Sequence, residues 1–223
     1  MAACLIFLLT PLLSSPGASK GEDVPALIRE ISAKQRRIET LTANFSQRKE
    51  TSLVQGPLLF TGVVKFKRPD RIHFIYAKPE AMEISLDGKF LWIYDPRQFR
   101  TERFPLSRDS RVGSYMESVT RIFQKTLDQL AEEYSIQTLP PDRDESWRFQ
   151  LHPREEKLQA FVKEVELRID RSSGAILTFQ MIEPNQDRLT LEFQNLRINP
   201  PLAAHDLEIK VPPSGHVQEG DSP

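Results

Sequence analysis

Apolar residues recur along this chain with two periods, and the change from one to the other marks its elements. Val24, Leu27, Ile28, Ile31 and Ile38 return at helical spacing behind Asp23, a good N-cap, with Pro25 in the first turn. This predicts one amphipathic helix over residues 24–39. The period then becomes two. Leu41, Ala43 and Phe45 alternate with polar residues; Leu58, Phe60, Gly62, Val64 and Phe66 do so after Gly56-Pro57; Ile72, Phe74 and Tyr76 follow Arg68-Pro69-Asp70; Met82, Ile84 and Leu86 come next. Asp87-Gly88 reads as a type I′ hairpin turn into Phe90-Leu91-Trp92-Ile93-Tyr94. The expected product is a meander of five or six antiparallel strands.

Residues 96–113 lose the pattern. Arg97, Arg100, Arg103, Arg108 and Arg111 mix with Glu102 and Asp109, which predicts a long surface loop holding one strand near Phe99 to Phe104. Ser114 and Glu117 form a capping-box pair, and Met116, Val119, Phe123, Leu127 and Leu130 mark one face of a second helix running to Glu133. After Pro140-Pro141, strand signals resume at Trp147-Phe149-Leu151, Val165-Leu167-Ile169, Leu177-Phe179-Met181 and Leu189-Leu191-Phe193, with a last short strand at Leu207 to Val211. Residues 212–223, rich in Pro, Gly and Ser, are expected to be disordered. About ten antiparallel strands with two helices imply a mainly β (α+β) fold, a single curved antiparallel sheet whose apolar face the helices cover.

Composition changes this picture little. With 223 residues, 39% hydrophobic and 27% charged, the chain is long enough for one domain with a core that needs no disulfide or metal. A net charge of -1 provides no basic field for nucleic acid. The N-terminus adds more. The apolar run Leu5 to Leu13, followed by Ser14-Ser15-Pro16-Gly17-Ala18-Ser19, reads as a cleavable signal peptide over residues 1–19, too short to cross a bilayer. The domain is then 20–211, exported to the periplasm and without cysteine, because the single Cys4 is removed. Cys4 precedes the apolar run, so it does not resemble a lipid attachment site.

Catalysis finds no constellation. His73, His152, His205 and His216 are scattered without metal-ligand spacing, and no phosphate loop or nucleophile elbow occurs. The acidic pairs Glu132-Glu133 and Glu155-Glu156 sit in polar runs. The expectation is a binding protein that is not an enzyme and takes no metal or cofactor.

The run Leu41-Thr-Ala-Asn-Phe-Ser-Gln47, then Gly62, Lys67-Arg68-Pro69, Pro79, Asp87-Gly88-Lys89, Leu91-Trp92 and Tyr94-Asp95-Pro96, resembles the periplasmic carriers of outer-membrane lipoproteins, the LolA-type proteins. Val165 to Asp170 with Gly174, and Asp187 to Phe193 with Asn195, continue the match. The resemblance implies an unclosed β-barrel closed by a helical lid over a cavity for acyl chains. It places Ile72, Phe74, Tyr76 and Ile84 in the cavity wall and Phe45 inside the first strand. Phe60, Val64, Phe66, Trp92, Met116, Phe123, Phe179 and Leu191 join them as expected cavity residues, with Tyr115 to Phe123 in the lid. Arg68 falls on the arginine that bonds to the lid segment, a lid latch. The implied partners are acylated lipoproteins, an inner-membrane lipoprotein-releasing transporter and an outer-membrane lipoprotein receptor, met by a monomer.

Read without the family, the same apolar faces would also make an ordinary sandwich core, Arg68 before Pro69 would be a solvated turn charge, and the arginine-rich loop a solvated loop or a basic rim for phosphate headgroups. Other functions also remain open. A carrier of another lipid or glycolipid would have the same pattern. A membrane-anchored acceptor would need a cysteine ending the signal run, and a periplasmic sensor would normally carry a second domain or membrane segment.

Overall fold

The strand-forming pattern becomes continuous sheet in the computed structural model, which describes residues 23–106, 111–140, 146–210 and 216–219. Six strands follow α1 (Val24–Gln35): β1 (Thr40–Glu50), β2 (Leu58–Lys67), β3 (Arg71–Lys78), β4 (Met82–Asp87), β5 (Phe90–Asp95) and β6 (Arg100–Pro105). Two helices, α2 (Arg111–Gln124) and α3 (Leu127–Glu133), lead to β7 (Tyr134–Leu139), β8 (Trp147–Pro153), β9 (Glu164–Ile169), β10 (Ile176–Ile182) and β11 (Arg188–Ile198). Among the described residues these strands and β12 (His216–Glu219) form one unclosed sheet in the order β12-β6-β5-β4-β3-β2-β1-β11-β10-β9-β8-β7. β1 lies between β2 and β11, so it joins two antiparallel meanders into one sheet. The β12–β6 pair is parallel.

Register lines up the apolar residues. Phe45 faces Gly62 on one side and Phe193 on the other, Val64 faces Phe74, Phe74 faces Ile84, and Ile84 faces Ile93. Side chains alternate along a strand and neighbours in register share a face, so these residues form a single inner face. Leu167 and Phe149 extend it through β9 and β8, opposite Phe179 and Leu167 respectively. Gly62 has no room for a side chain, since a Cβ there would lie 2.1 Å from Ile75 O and 2.8 Å from the Phe45 ring.

The helices differ from the periodic reading at their ends. Asp23 caps α1 as expected, accepting the Ala26 N–H at 3.3 Å. The helix stops at Gln35 instead of 39, because Ile38 has moved into the turn that delivers β1. The second predicted helix starts earlier, at Arg111, and breaks at Lys125-Thr126 into α2 and α3. The break has a local cause and a distant one. Thr126 and Gln129 are spaced as a capping box, and Gln129 Oε1 accepts the Thr126 N–H at 2.9 Å. Side chains of α1 cap the first turn of α3: Gln35 Oε1 accepts the Leu127 N–H at 2.8 Å and Ser32 Oγ accepts that of Asp128 at 2.9 Å.

Other local expectations also change. The Asp87-Gly88 hairpin forms, but only Gly88 (φ 87°) takes positive φ. That is the signature of a II′ turn, with the Asp87 carboxylate accepting the N–H groups of Lys89 and Phe90. β7 is a strand that the periodic reading does not contain. Of the strand expected at 207–211, residue 211 lies outside the described residues and 207–210 form no strand; instead residues 199–210 cross the outer face as a strap with a short 3₁₀ turn, Ala204–Leu207. Lys65 and Lys67 donate to the carbonyls of Asp206 and Leu202, Ser85 donates to that of Leu207, and the Leu207 side chain is buried. Within the tail expected to be disordered, 216–219 pairs with β6. The proposed signal segment, residues 1–19, lies outside the described residues.

Candidate functional site: an apolar cavity under a helix

The inner face is lined by large side chains, and α2 lies across it with Ile122 and Val119 buried beneath. Phe123 of α2 packs its ring, tilted, 5.2 Å from that of Phe179 and meets Phe193 edge-on at 5.8 Å. Between α2, the end of α1 and strands β1–β3 lies a cavity of about 80 Å³. Its wall is apolar, made by Leu41, Val64, Phe66, Ile72, Phe74 and Phe193, with Ile122 and Phe123 above and Ile176 at one side. Polar groups gather at its mouth: Arg68, Gln35 and Lys125.

Arg68 stands at the turn between β2 and β3, where the first turn after α1 and the end of α2 converge. Its Nε donates to Ile38 O at 2.7 Å, Nη2 to Gln35 O at 2.8 Å and Nη1 to Gln124 O at 3.2 Å. A guanidinium is the one side chain whose planar fork reaches three carbonyls at once. Burial pushes the Arg68 guanidinium below its ordinary value, partly offset by Glu39, and it stays charged. The end of α2 is tied further through Glu133, which accepts from Arg121 at 2.8 Å and from Lys125. At the other end of α2 the Tyr115 hydroxyl donates to Glu183 Oε1 at 3.1 Å.

The residues singled out from sequence separate into groups. Val64, Phe66, Arg68, Ile72, Phe74 and Phe123 line the cavity. Phe45, Phe60 and Tyr76 form the adjoining aromatic cluster, with Phe45 edge-on to Phe74 at 5.3 Å and to Tyr76 at 5.0 Å. The Tyr76 hydroxyl finds Gln47 Oε1 at 2.9 Å. Ile84 sits beside Phe74 on the same face; Phe179 and Leu191 are buried in the second meander, and Met116 packs on the core from α2.

Trp92 does not belong to this surface. Period two turns Leu91 and Ile93 inward and Trp92 outward, opposite Ser85. There its indole N–H donates to Asp87 Oδ2 at 3.0 Å and the Arg103 guanidinium lies over its ring. The arginine-rich segment is less basic in effect than its composition, since Arg97 pairs with Asp95 and Glu80, and Arg100 with Glu102. Sequence reasoning missed Gln35, Leu41, Lys125 and Phe193 as lining residues. Leu41 and Phe193 carried the strand signal, while nothing in the sequence signalled Gln35 or Lys125.

Among the described residues no group of His, Cys, Asp and Glu is gathered to hold a metal, and no helix is long and apolar enough to cross a membrane. The arrangement offers burial of apolar matter between a helix and the inner face of the sheet.

Comparison with known proteins agrees with this geometry. The model of the family described as "Outer membrane lipoprotein carrier protein LolA" matches residues 36–210. An outer-membrane lipoprotein carrier protein of Albidiferax ferrireducens is 24% identical over 163 residues, covering 72% of this chain and 74% of that protein. Its counterpart from Pasteurella multocida is 24% identical over 193 residues, covering 82% of each. An uncharacterised conserved protein of Thermus thermophilus shares the fold, with a TM-score of 0.56 and 10% identity over 89% of this chain and all of that one.

Proposed function

Since this chain belongs to the LolA family of outer-membrane lipoprotein carrier proteins, we propose that it carries lipoproteins through the periplasm by holding their acyl chains between α2 and the inner face of the sheet. It takes cargo from an inner-membrane releasing transporter and passes it to an outer-membrane receptor, as a monomer, without covalent chemistry or a cofactor. The observation that supports this best is an apolar wall under a helix whose ends are held by polar bonds. A cavity of about 80 Å³ is well below the roughly 300–1,000 Å³ of ordinary ligand pockets. An acyl chain therefore requires α2 to move, and the pocket that matters is the one its movement uncovers.

Energetics favour such a device over an open groove. Each buried methylene is worth about 0.8 kcal/mol, so a multiply acylated anchor buried outright would hardly leave. Binding that must first break the bonds of α2, those from Arg68 and Tyr115 among them, has its net affinity lowered by the cost of opening. Arg68 acts here as a latch on the closed form and not as a cargo ligand, because its donors face carbonyls, and an unpaired charge among acyl chains would be costly.

The test is a detergent-free release assay. Purified protein is added to membranes carrying a triacylated lipoprotein and its releasing transporter, and soluble lipoprotein is measured. The expected result is a soluble one-to-one complex. Lipoprotein left in the membrane, with a phospholipid or glycolipid found on the protein instead, would overturn the proposal in favour of a carrier for that lipid.

A further inference from the structure

The two ends of α2 are held in different ways. At its C-terminal end only Lys125 and Thr126 separate it from α3. The first turn of α3 is capped by Ser32 and Gln35 of α1, and Asp128 pairs with Arg36. Glu133 of α3 reaches back to Arg121 and Lys125, and Arg68 adds its bond to Gln124 O. This end is joined to α1, α3 and the β2–β3 turn together. Nearer the other end, the Tyr115 hydroxyl ties α2 to the sheet through its bond to Glu183.

Glu183 is well placed to receive it. It opens the tight turn between β10 and β11, where its N–H donates to Asp187 O and its carbonyl accepts from Gln186, both at 2.9 Å. Lys163 braces the same turn, its N–H on Ile182 O at 2.8 Å and its Nζ on Gln186 Oε1 at 3.0 Å. Tyr115 is a dependable donor, because burial, reinforced by Glu183, pushes its hydroxyl far above the ordinary tyrosine value. The acceptor is thus fixed to the sheet, and the donor rides on the helix.

We infer that α2 opens from its Tyr115 end, pivoting at Lys125-Thr126, with the Tyr115–Glu183 hydrogen bond as the clasp that sets how often it does so. Tyr115 and Glu183 are positioning residues and touch no cargo in this scheme. From Tyr115 to Gln124 the helix is roughly 14 Å long at 1.5 Å per residue, so a modest rotation at the tether lifts the far end by several ångströms. What it uncovers is a straight apolar path. Phe193, Leu191 and Leu189 follow one another on the inner face of β11, with Phe179 and Met181 beside them on β10. That path continues the existing cavity, which Phe193 already lines, toward the Glu183 turn. Its elongated form suits a linear acyl chain, entering from the end of the sheet opposite Arg68.

This inference rests on the carrier reading for its purpose, but the opening itself is measurable without cargo. Amide hydrogen exchange of the full mature protein is followed in wild type, Tyr115→Phe and Glu183→Gln, alongside the association rate of a fluorescent sixteen-carbon fatty acid. Tyr115→Phe keeps the ring and removes only the donor. Exchange in the 115–119 half of α2 is expected to rise about tenfold, the loss of one hydrogen bond to a charged acceptor, with the thermal midpoint nearly unchanged. Fatty-acid association should quicken by a similar factor. Glu183→Gln, which can still accept the bond, should fall between the two. Unchanged exchange would overturn the clasp, and so would an equal rise at 120–130, which would mark an ordinary structural bond. If no variant binds the fatty acid, the carrier reading fails, while the exchange pattern still decides how α2 opens.

Discussion

Arg68 illustrates how a residue's surroundings change the meaning of its chemistry. Before a proline in a turn it would ordinarily be a solvated charge, yet here it is partly buried and donates to three carbonyls from two helices and the turn between α1 and β1. Arg68→Leu should therefore do two things. It leaves the Ile38 carbonyl without its arginine donor, leaves that of Gln35 with the Ile38 N–H alone, and lowers the thermal midpoint, by an amount corresponding to about 1–3 kcal/mol. It also removes the bond to Gln124, which loosens the tethered end about which α2 turns and so favours the open form. A loaded lipoprotein should then be retained longer and its transfer to an outer-membrane acceptor should slow. Equal retention and transfer for the two proteins would return Arg68 to a purely structural role. Gly62 is a second case, because Phe45 and the Ile75 carbonyl occupy the space of its missing side chain. Gly62→Ala should destabilise the fold by roughly 1–3 kcal/mol through overpacking, read as a lower midpoint in urea.

At the scale of elements, the junction of α2 and α3 depends on a carboxylate. Burial alone would raise the Glu133 carboxyl, but hydrogen bonds from Lys125 and Arg121, with their charges, outweigh it and hold the group below its ordinary value. A folded value below the unfolded one means that the contribution is complete above about pH 4.3, the unfolded glutamate value. It is lost as pH falls through the depressed folded value. Glu133→Gln should accordingly lower the thermal midpoint at pH 7, and the gap from wild type should close as pH falls through that depressed value. A gap that persists in acid would show that packing, not charge, carries the effect. The helix break had a local signal that the apolar stripe concealed: Thr126 and Gln129 are spaced as a capping box, and Gln129 Oε1 accepts the Thr126 N–H at 2.9 Å. Met116, Val119, Phe123, Leu127 and Leu130 keep one helical stripe through it, and the side chains of Ser32 and Gln35, far away in the chain, cap the new start as well.

The whole molecule is one sheet whose two meanders are held by helices on the inner face and by a strap on the outer one. The strap ties the end of β11 to β2, β3 and β4 through Lys65, Lys67, Ser85 and the buried Leu207. Leu207→Ala should cost about 2–5 kcal/mol, as buried leucines do, and appear as a lower urea midpoint. Affinity for cargo should change little, because Leu207 is on the face away from the cavity.

Strands β1–β6 and β8–β11, their inward aromatic residues apart from the misplaced Trp92, and the family were legible in the sequence itself. Period two is a local property that each strand carries whatever it pairs with, and it also puts Trp92 on the outer face opposite Ser85. Tertiary structure decided what locality cannot encode. It placed β1 between β2 and β11, brought Gln35 and Lys125 to the cavity mouth, set Ser32 and Gln35 on the first turn of α3 and put Glu183 beside Tyr115. Each of these joins residues far apart in the chain through hydrogen bonds or packing, and their partners exist only once the sheet has formed.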